Sequence, residues 1–91
     1  MTISEEVVPR LPHGVRLKED KVRGRWVLLA PERVLEPDSI AVEIIKRCDG
    51  SRTLAAVIDD LATAFAADRG VVASDVKSIL AFLSERRMVD L

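Results

Sequence analysis

One cysteine, one histidine and no tyrosine stand in a chain of 91 residues. A single cysteine excludes an internal disulfide and a thiolate-held metal cluster. One histidine leaves a histidine-rich metal site or a Ser-His-Asp constellation almost nothing to be built from. The aromatics are only Trp26, Phe65 and Phe82, so the core must be aliphatic. No apolar run approaches the ~20 residues of a membrane span. The first residues carry Glu5 and Glu6 and lack the basic-then-apolar order of a secretory signal. Together with a free cysteine this reads as a protein of the reducing cytoplasm. Nor is there an excess of charge of one sign: 14 Lys+Arg face 15 Asp+Glu, for a net charge of -1. That balance argues against binding nucleic acid mainly through net charge.

Catalytic chemistry is equally thin. His13 sits between Pro12 and Gly14 with no orienting partner in sight. Cys48 falls on an apolar helical stripe, where a small buried hydrophobe is the usual state. Asp59 and Asp60 are adjacent, and neighbours on a helix point about 100° apart, so they are poor joint metal ligands. No glycine-rich phosphate loop is present. The sequence thus reads as a protein that is not an enzyme and carries no metal and no cofactor.

What remains is a foldable domain. Val, Leu, Ile and Ala supply 38 of the 44 hydrophobic residues, and 32% of the chain is charged, a composition unlike that of disordered chains. Residues 1–12 contain Pro9 and Pro12 and little periodicity, and read as a mobile arm. Residues 13–91 read as a single domain. Val15-Arg16-Leu17-Lys18 alternates like a half-buried strand. Residues 20–24 form a polar turn. Trp26-Val27-Leu28-Leu29-Ala30 is a continuous apolar run, as in a central strand, and Pro31 breaks it. Arg33-Val34-Leu35-Glu36 lies between prolines and reads as an edge strand.

After Pro37 the period becomes helical. Asp38 or Ser39 caps a first helix with Ile40, Ile44, Ile45 and Cys48 on one face, and Gly50 stands at its C-terminal end. Thr53 caps a second, with Leu54, Val57, Ile58, Leu61 and Phe65 inward, ending near Gly70. Ser74 caps a third, with Val76, Ile79, Leu80 and Leu83 inward and Arg86 and Arg87 in its last turn. Residues 88–91 leave it as a short extended tail. Strands followed by helices indicate an α+β domain, a three-stranded antiparallel sheet with three helices. The order also fits a small winged-helix-turn-helix-like unit.

Charge is segregated: residues 10–33 hold seven bases and three acids, residues 36–75 four bases and eight acids. Two features favour recognition of a partner. An edge strand offers unpaired N–H and C=O groups to which an extended peptide adds. On the third helix, Phe82 lies at the margin of the core stripe with Arg86 one turn on. A winged-helix DNA-binding transcription factor is the alternative. The outward residues of the third helix, Lys77, Ser78, Ala81, Ser84 and Glu85, are a poor set for reading base edges. DNA binding would fall instead to the basic stretch from Arg16 to Arg25.

Leu28-Leu29-Ala30-Pro31-Glu32-Arg33, then Ile44-Ile45 and Cys48-Asp49-Gly50, then Asp75-Val76 with Leu80 and Leu83, resembles the coenzyme PQQ synthesis protein D family. The likeness runs from about Pro12 to Leu91. Ala30 departs from the pattern, an aromatic residue being expected before the proline. The resemblance implies a winged-helix-like domain without catalysis, a peptide chaperone in pyrroloquinoline quinone (PQQ) biosynthesis. It would bind the precursor peptide and present it to the radical SAM enzyme of the pathway. In such recognition domains the peptide adds a strand to the sheet edge and lies against the last helix. Carried over, the edge is Arg33, Val34, Leu35 and Glu36, and the helix is Ser74 to Arg87. The peptide-binding residues expected are these four with Ile79, Phe82, Leu83 and Arg86. The exposed edge and the arm also offer a homodimer a route by strand pairing or exchange.

Overall fold

The computed structural model describes residues 3–91. Three strands are followed by three helices: β1 (Arg16–Asp20), β2 (Arg25–Ala30), β3 (Arg33–Leu35), α1 (Ser39–Lys46), α2 (Leu54–Ala64) and α3 (Arg69–Glu85). The sheet is antiparallel in the order β1-β2-β3. The apolar run of β2 is therefore the central strand, and β3 is an edge, as its flanking prolines imply. This is the α+β, winged-helix-like topology expected from the sequence.

Register sorts the side chains. Leu17, Leu28 and Leu35 lie opposite one another across the three strands. Leu28 is completely buried, and Leu17 and Leu35 pack on the core that Ile44, Ile45, Leu54, Ile58, Leu80 and Leu83 build from the helices. Full burial of one such leucine contributes about 1.5–3 kcal/mol. The next row, Arg16, Leu29 and Val34, points to the other side of the sheet. Across β2, Lys46 of α1 places its ammonium 4.7 Å from the centre of the Trp26 ring.

Each helix begins on a side-chain cap. The carboxylate of Asp38 accepts from Ala41 N at 2.8 Å, the hydroxyl of Thr53 from Ala56 N at 3.2 Å, and the carboxylate of Asp68 from Val71 N at 3.1 Å. Such caps satisfy amides that have no partner within the helix. The third of them corrects the sequence reading. α3 starts five residues before Ser74, and Gly70 lies in its first turn instead of closing α2. α2 stops at Ala64, and Ala66 takes a left-handed φ of 49°. With the helix ended there, Phe65 leaves the core stripe and is 59% exposed. In α1, Val42 is buried and Ile40 is exposed. Ile40, expected on the inner face, is therefore outside it, and Val42 joins Ile44 and Ile45 there.

Residues 3–12, set aside in the sequence as a mobile arm with Met1 and Thr2 outside the described residues, are docked on the domain. Ile3 is 5% exposed and belongs to the core. Main-chain bonds run from Ala55 N to Glu5 O at 2.9 Å, Leu54 N to Val7 O at 2.7 Å and Gly50 N to Pro9 O at 3.1 Å. The first two satisfy amides at the start of α2 that have no partner within the helix. Gly50, with φ +77°, lies where an added Cβ would meet Arg10 Cβ at 3.3 Å. Its role is to let this segment approach, not to end α1, which Arg47 already closes. Glu5 accepts from Arg69 and Lys77, and these hydrogen bonds hold its carboxyl below the usual carboxylate range.

The tail also returns to the body. Arg87 adopts φ +58°, and Met88 N donates back to Leu83 O at 2.9 Å. This buries Met88 and Val89 and brings Asp90 into a pair of main-chain bonds with Arg10.

Candidate functional site, a groove between the sheet edge and the last helix

A two-residue turn, Pro31-Glu32, joins β2 to β3 and sets Arg33 opposite Ala30. Antiparallel pairs alternate between the hydrogen-bonded and the open kind. The pair that closes the turn is of the bonded kind, so the main-chain groups of Val34 turn outward to the free edge. Beyond Leu35 the chain turns at Pro37 into the Asp38 cap of α1. A gap is left between this corner and α3.

That gap is an apolar groove of about 400 Å³ lined by Leu28, Leu35, Glu36, Pro37, Asp38, Ala41, Ile45, Ser78, Ile79, Phe82 and Leu83. Leu28, Ile45 and Leu83 are buried and form its floor, while Phe82 is 46% exposed at the rim. Five residues expected from the sequence, Leu35, Glu36, Ile79, Phe82 and Leu83, are thus brought to one surface. Arg86 stands just outside it. Its guanidinium lies 3.5 Å from the centre of the Phe82 ring and donates through Nη1 to Phe82 O at 3.0 Å. The cation holds the ring's outer face, so the inner face and edge are left for the groove. Arg33 and Val34 lie along the strand edge and do not line the groove. Val34 pairs with Leu29 on the far side of the sheet and is 65% exposed. Leu35, not Val34, is therefore the strand residue that enters the groove.

Glu36 is held from behind by Arg25, whose Nη1 donates to Glu36 Oε2 at 3.0 Å, while Asp20 lies 3.8 Å from Arg25 Nε. The end of β3 is thereby tied to β2. The sequence reading missed the α1 contribution, Asp38, Ala41 and Ile45, and the floor residue Leu28. Ile45 and Leu28 carry only a core signal in sequence, and no periodicity announces that a core side chain also floors an open groove.

The other candidates carry no chemistry. Cys48 is buried, and burial pushes its thiol up to about 12. Its Sγ donates to Ile44 O at 3.3 Å. Asp59 and Asp60 are engaged separately, by Arg69 and Arg47. Among the described residues no group of three or more His, Cys, Asp or Glu is placed to hold a metal, and no helix is long and apolar enough to cross a membrane.

A small open sheet, three helices and an apolar groove beside the β3 edge define a peptide-recognition domain of the winged-helix kind. The model of the family described as coenzyme PQQ synthesis protein D matches residues 25–89. A "PqqA binding protein" from Rhodopseudomonas palustris (strain BisB5) is 50% identical over 86 residues, covering 94% of this chain and 84% of the relative. One from Xanthomonas campestris pv. campestris (strain B100) is 44% identical over 90 residues, covering 99% and 98%. Among solved structures, the NMR structure of the PqqD truncation of Methylobacterium extorquens PqqCD superposes with a TM-score of 0.84 at 39% identity, over 99% of this chain and 96% of that one. It is described as a functional, stand-alone recognition element for ribosomally synthesized and post-translationally modified peptides. The crystal structure of PqqD from Xanthomonas campestris gives a TM-score of 0.62 at 43% identity, over 99% and 100% of the two chains. The chain belongs to the PqqD family, whose members are non-catalytic recognition domains in the biosynthesis of modified ribosomal peptides.

Proposed function

We propose that this protein is the peptide chaperone of PQQ biosynthesis in its cytoplasm: it binds the precursor peptide by strand addition to the free edge of β3 and presents it to the radical SAM enzyme of the pathway. The observation that carries this reading is the groove, which opens directly between the edge of β3 and α3. A strand of about four residues adds about four main-chain hydrogen bonds, each worth roughly 0.5–1.5 kcal/mol net. Association costs an estimated 4–15 kcal/mol in lost freedom. The edge alone therefore gives register without sufficient affinity. Apolar peptide side chains entering the groove contribute roughly 1.5–3 kcal/mol each when fully buried, and Leu35, Ile79, Phe82 and Leu83 are the residues that receive them. Arg33 and Glu36 flank the added strand, and Arg86 keeps Phe82 in place.

The position of the N-terminal segment disfavours DNA recognition through α3, which leaves the transcription-factor alternative only the basic stretch from Arg16 to Arg25. Ile3 borders the same surface as Ser74, Lys77 and Ser78 of α3, and Lys77 is bound to Glu5. The helix that would enter a DNA groove is therefore partly covered by the protein's own chain. A homodimer paired through β3 would compete with the peptide for the same edge.

The test is titration of isotope-labelled protein with the synthetic precursor peptide, followed by amide NMR shifts. Saturable shifts at residues 32–36 and along α3 from Ser74 are expected. Shifts confined to residues 15–25 would move the site to the β1–β2 wing and refute strand addition.

A further inference from the structure

The face of the sheet turned away from the helices has no cover among the described residues. It carries Arg16, Leu29 and Val34 in one cross-strand row and Lys18 and Val27 in the next. Val27 and Leu29 are half-buried and Val34 is exposed. These three side chains form an aliphatic strip that runs into a shallow depression bordered by Lys18, Glu19, Asp20, Lys21 and Val22. Val22, on the turn between β1 and β2, is 96% exposed. Single exposed aliphatics are ordinary, but a contiguous strip rimmed by polar groups marks an interaction surface.

The cations of the rim are uncommitted. Arg16, Lys18 and Lys21 are exposed and make no ion pair with any described residue. Of the nearby acids, Asp20 lies 4.0 Å from Arg23 and 3.8 Å from Arg25, and Glu36 binds Arg25 at 3.0 Å, while Glu19, at the border of the depression, is exposed and has no ion pair among the described residues. Arg16, Lys18 and Lys21 against Glu19 leave an excess of free positive charge here, complementary to a carboxylate-rimmed aliphatic patch on another protein. The face is also continuous with the edge of β3. Alternate side chains of a strand point to opposite sides of its sheet. A peptide strand added to β3 sends one set into the groove and sets the other beside Val34, on this face.

We infer that the outer face of the sheet is the docking surface for the peptide-modifying enzyme, meeting an acidic-rimmed aliphatic patch on it, and that bound peptide widens this surface. The second clause rests on the strand-addition reading above; the first stands on the face itself. Docking is then stronger when peptide is present and weakens as salt screens the rim.

The experiment uses the double charge reversal R16E/K18E, at exposed positions outside the peptide groove. A thermal melt verifies that the variant is folded, and purified radical SAM enzyme of the pathway is the probe. Enzyme affinity is expected to fall at least about tenfold, as loss of complementary charge across an interface predicts, with peptide affinity unchanged. Unchanged enzyme affinity overturns the proposal. An equal loss of peptide affinity also overturns it, by placing the peptide on this face. A short DNA duplex is titrated in parallel: duplex binding that R16E/K18E abolishes while enzyme affinity stays put assigns the face to nucleic acid instead. The two readings fail separately. If F82A keeps its peptide affinity while R16E/K18E loses the enzyme, the groove falls and the face stands; the converse result removes the face and keeps the groove.

Discussion

Truncating Phe82 to alanine separates binding from folding. An aromatic side chain buries about 150–250 Å² when fully covered, and Phe82 still exposes 46% of its surface at the groove rim. A docked peptide that covers the ring therefore removes about 90 Å² from water, worth about 2 kcal/mol at ~25 cal/mol per Å². Losing it raises the peptide's Kd about thirtyfold, since about 1.4 kcal/mol is a factor of ten. The folded state loses less. The inner half of the ring is already packed, but it faces an open groove, so truncation leaves no sealed cavity. Area estimates from an extended chain overstate the loss by roughly 10–40%, and alanine returns about 0.5 kcal/mol of helix propensity. The net cost to stability is about 1–1.5 kcal/mol, small enough to leave a domain of ordinary stability folded. Isothermal titration with the synthetic precursor peptide, beside a urea melt of the same variant, measures both quantities. A folded Phe82→Ala protein whose Kd lies within about twofold of the parent would refute the reasoning, because the rim area invoked exceeds that by more than a factor of ten.

Other substitutions probe separate parts of the site. Leu83→Asp places an unpaired carboxylate where the parent side chain is 4% exposed; a cost of several kcal/mol is expected, seen as loss of the cooperative thermal transition. Val34→Pro removes the outward amide at the free edge while leaving the groove intact; the variant should fold, by circular dichroism, and lose peptide binding. The Glu5 carboxyl is lowered by its bonds from Arg69 and Lys77, so what it adds to docking of the N-terminal segment is present above its unfolded pKa of about 4.5. That contribution is lost as pH falls through the folded value. Hydrogen exchange at the Leu54 and Ala55 amides should accelerate relative to the rest of α2 in that acidic range, and Glu5→Gln should show the acceleration already at neutral pH.

The strands and their order were legible because proline and glycine bound them and β2 has one unbroken apolar run. The groove was legible in part: Leu35, Ile79, Phe82 and Leu83 show themselves through periodicity and through the resemblance. Ile45 and Leu28 did not, since residues that floor a groove have the same pattern as residues in a closed core. The start of α3 was misread because Gly70 was taken as a terminator. The Asp68 cap and the apolar Val71 and Val72 that follow show that a glycine in a first turn is compatible with a helix. The N-terminal segment was misread for a different reason. Its main-chain bonds follow no helical or strand spacing, and its core contacts, Ile3, Val7 and Leu11, are few and interrupted by Pro9, so it reads as neither a helix nor a strand. Its partners lie some forty to eighty positions away along the chain.

That last distance sets the order in which the molecule assembles. The bonds between Arg10 and Asp90 close a loop of almost the entire chain, and the entropy lost in closing a loop grows with its length. Hairpin and helix contacts, which join near neighbours, form without that cost. The clasp between the two ends of the domain is therefore a late event in folding and among the first contacts to open. During synthesis it cannot form until Asp90 has left the ribosome.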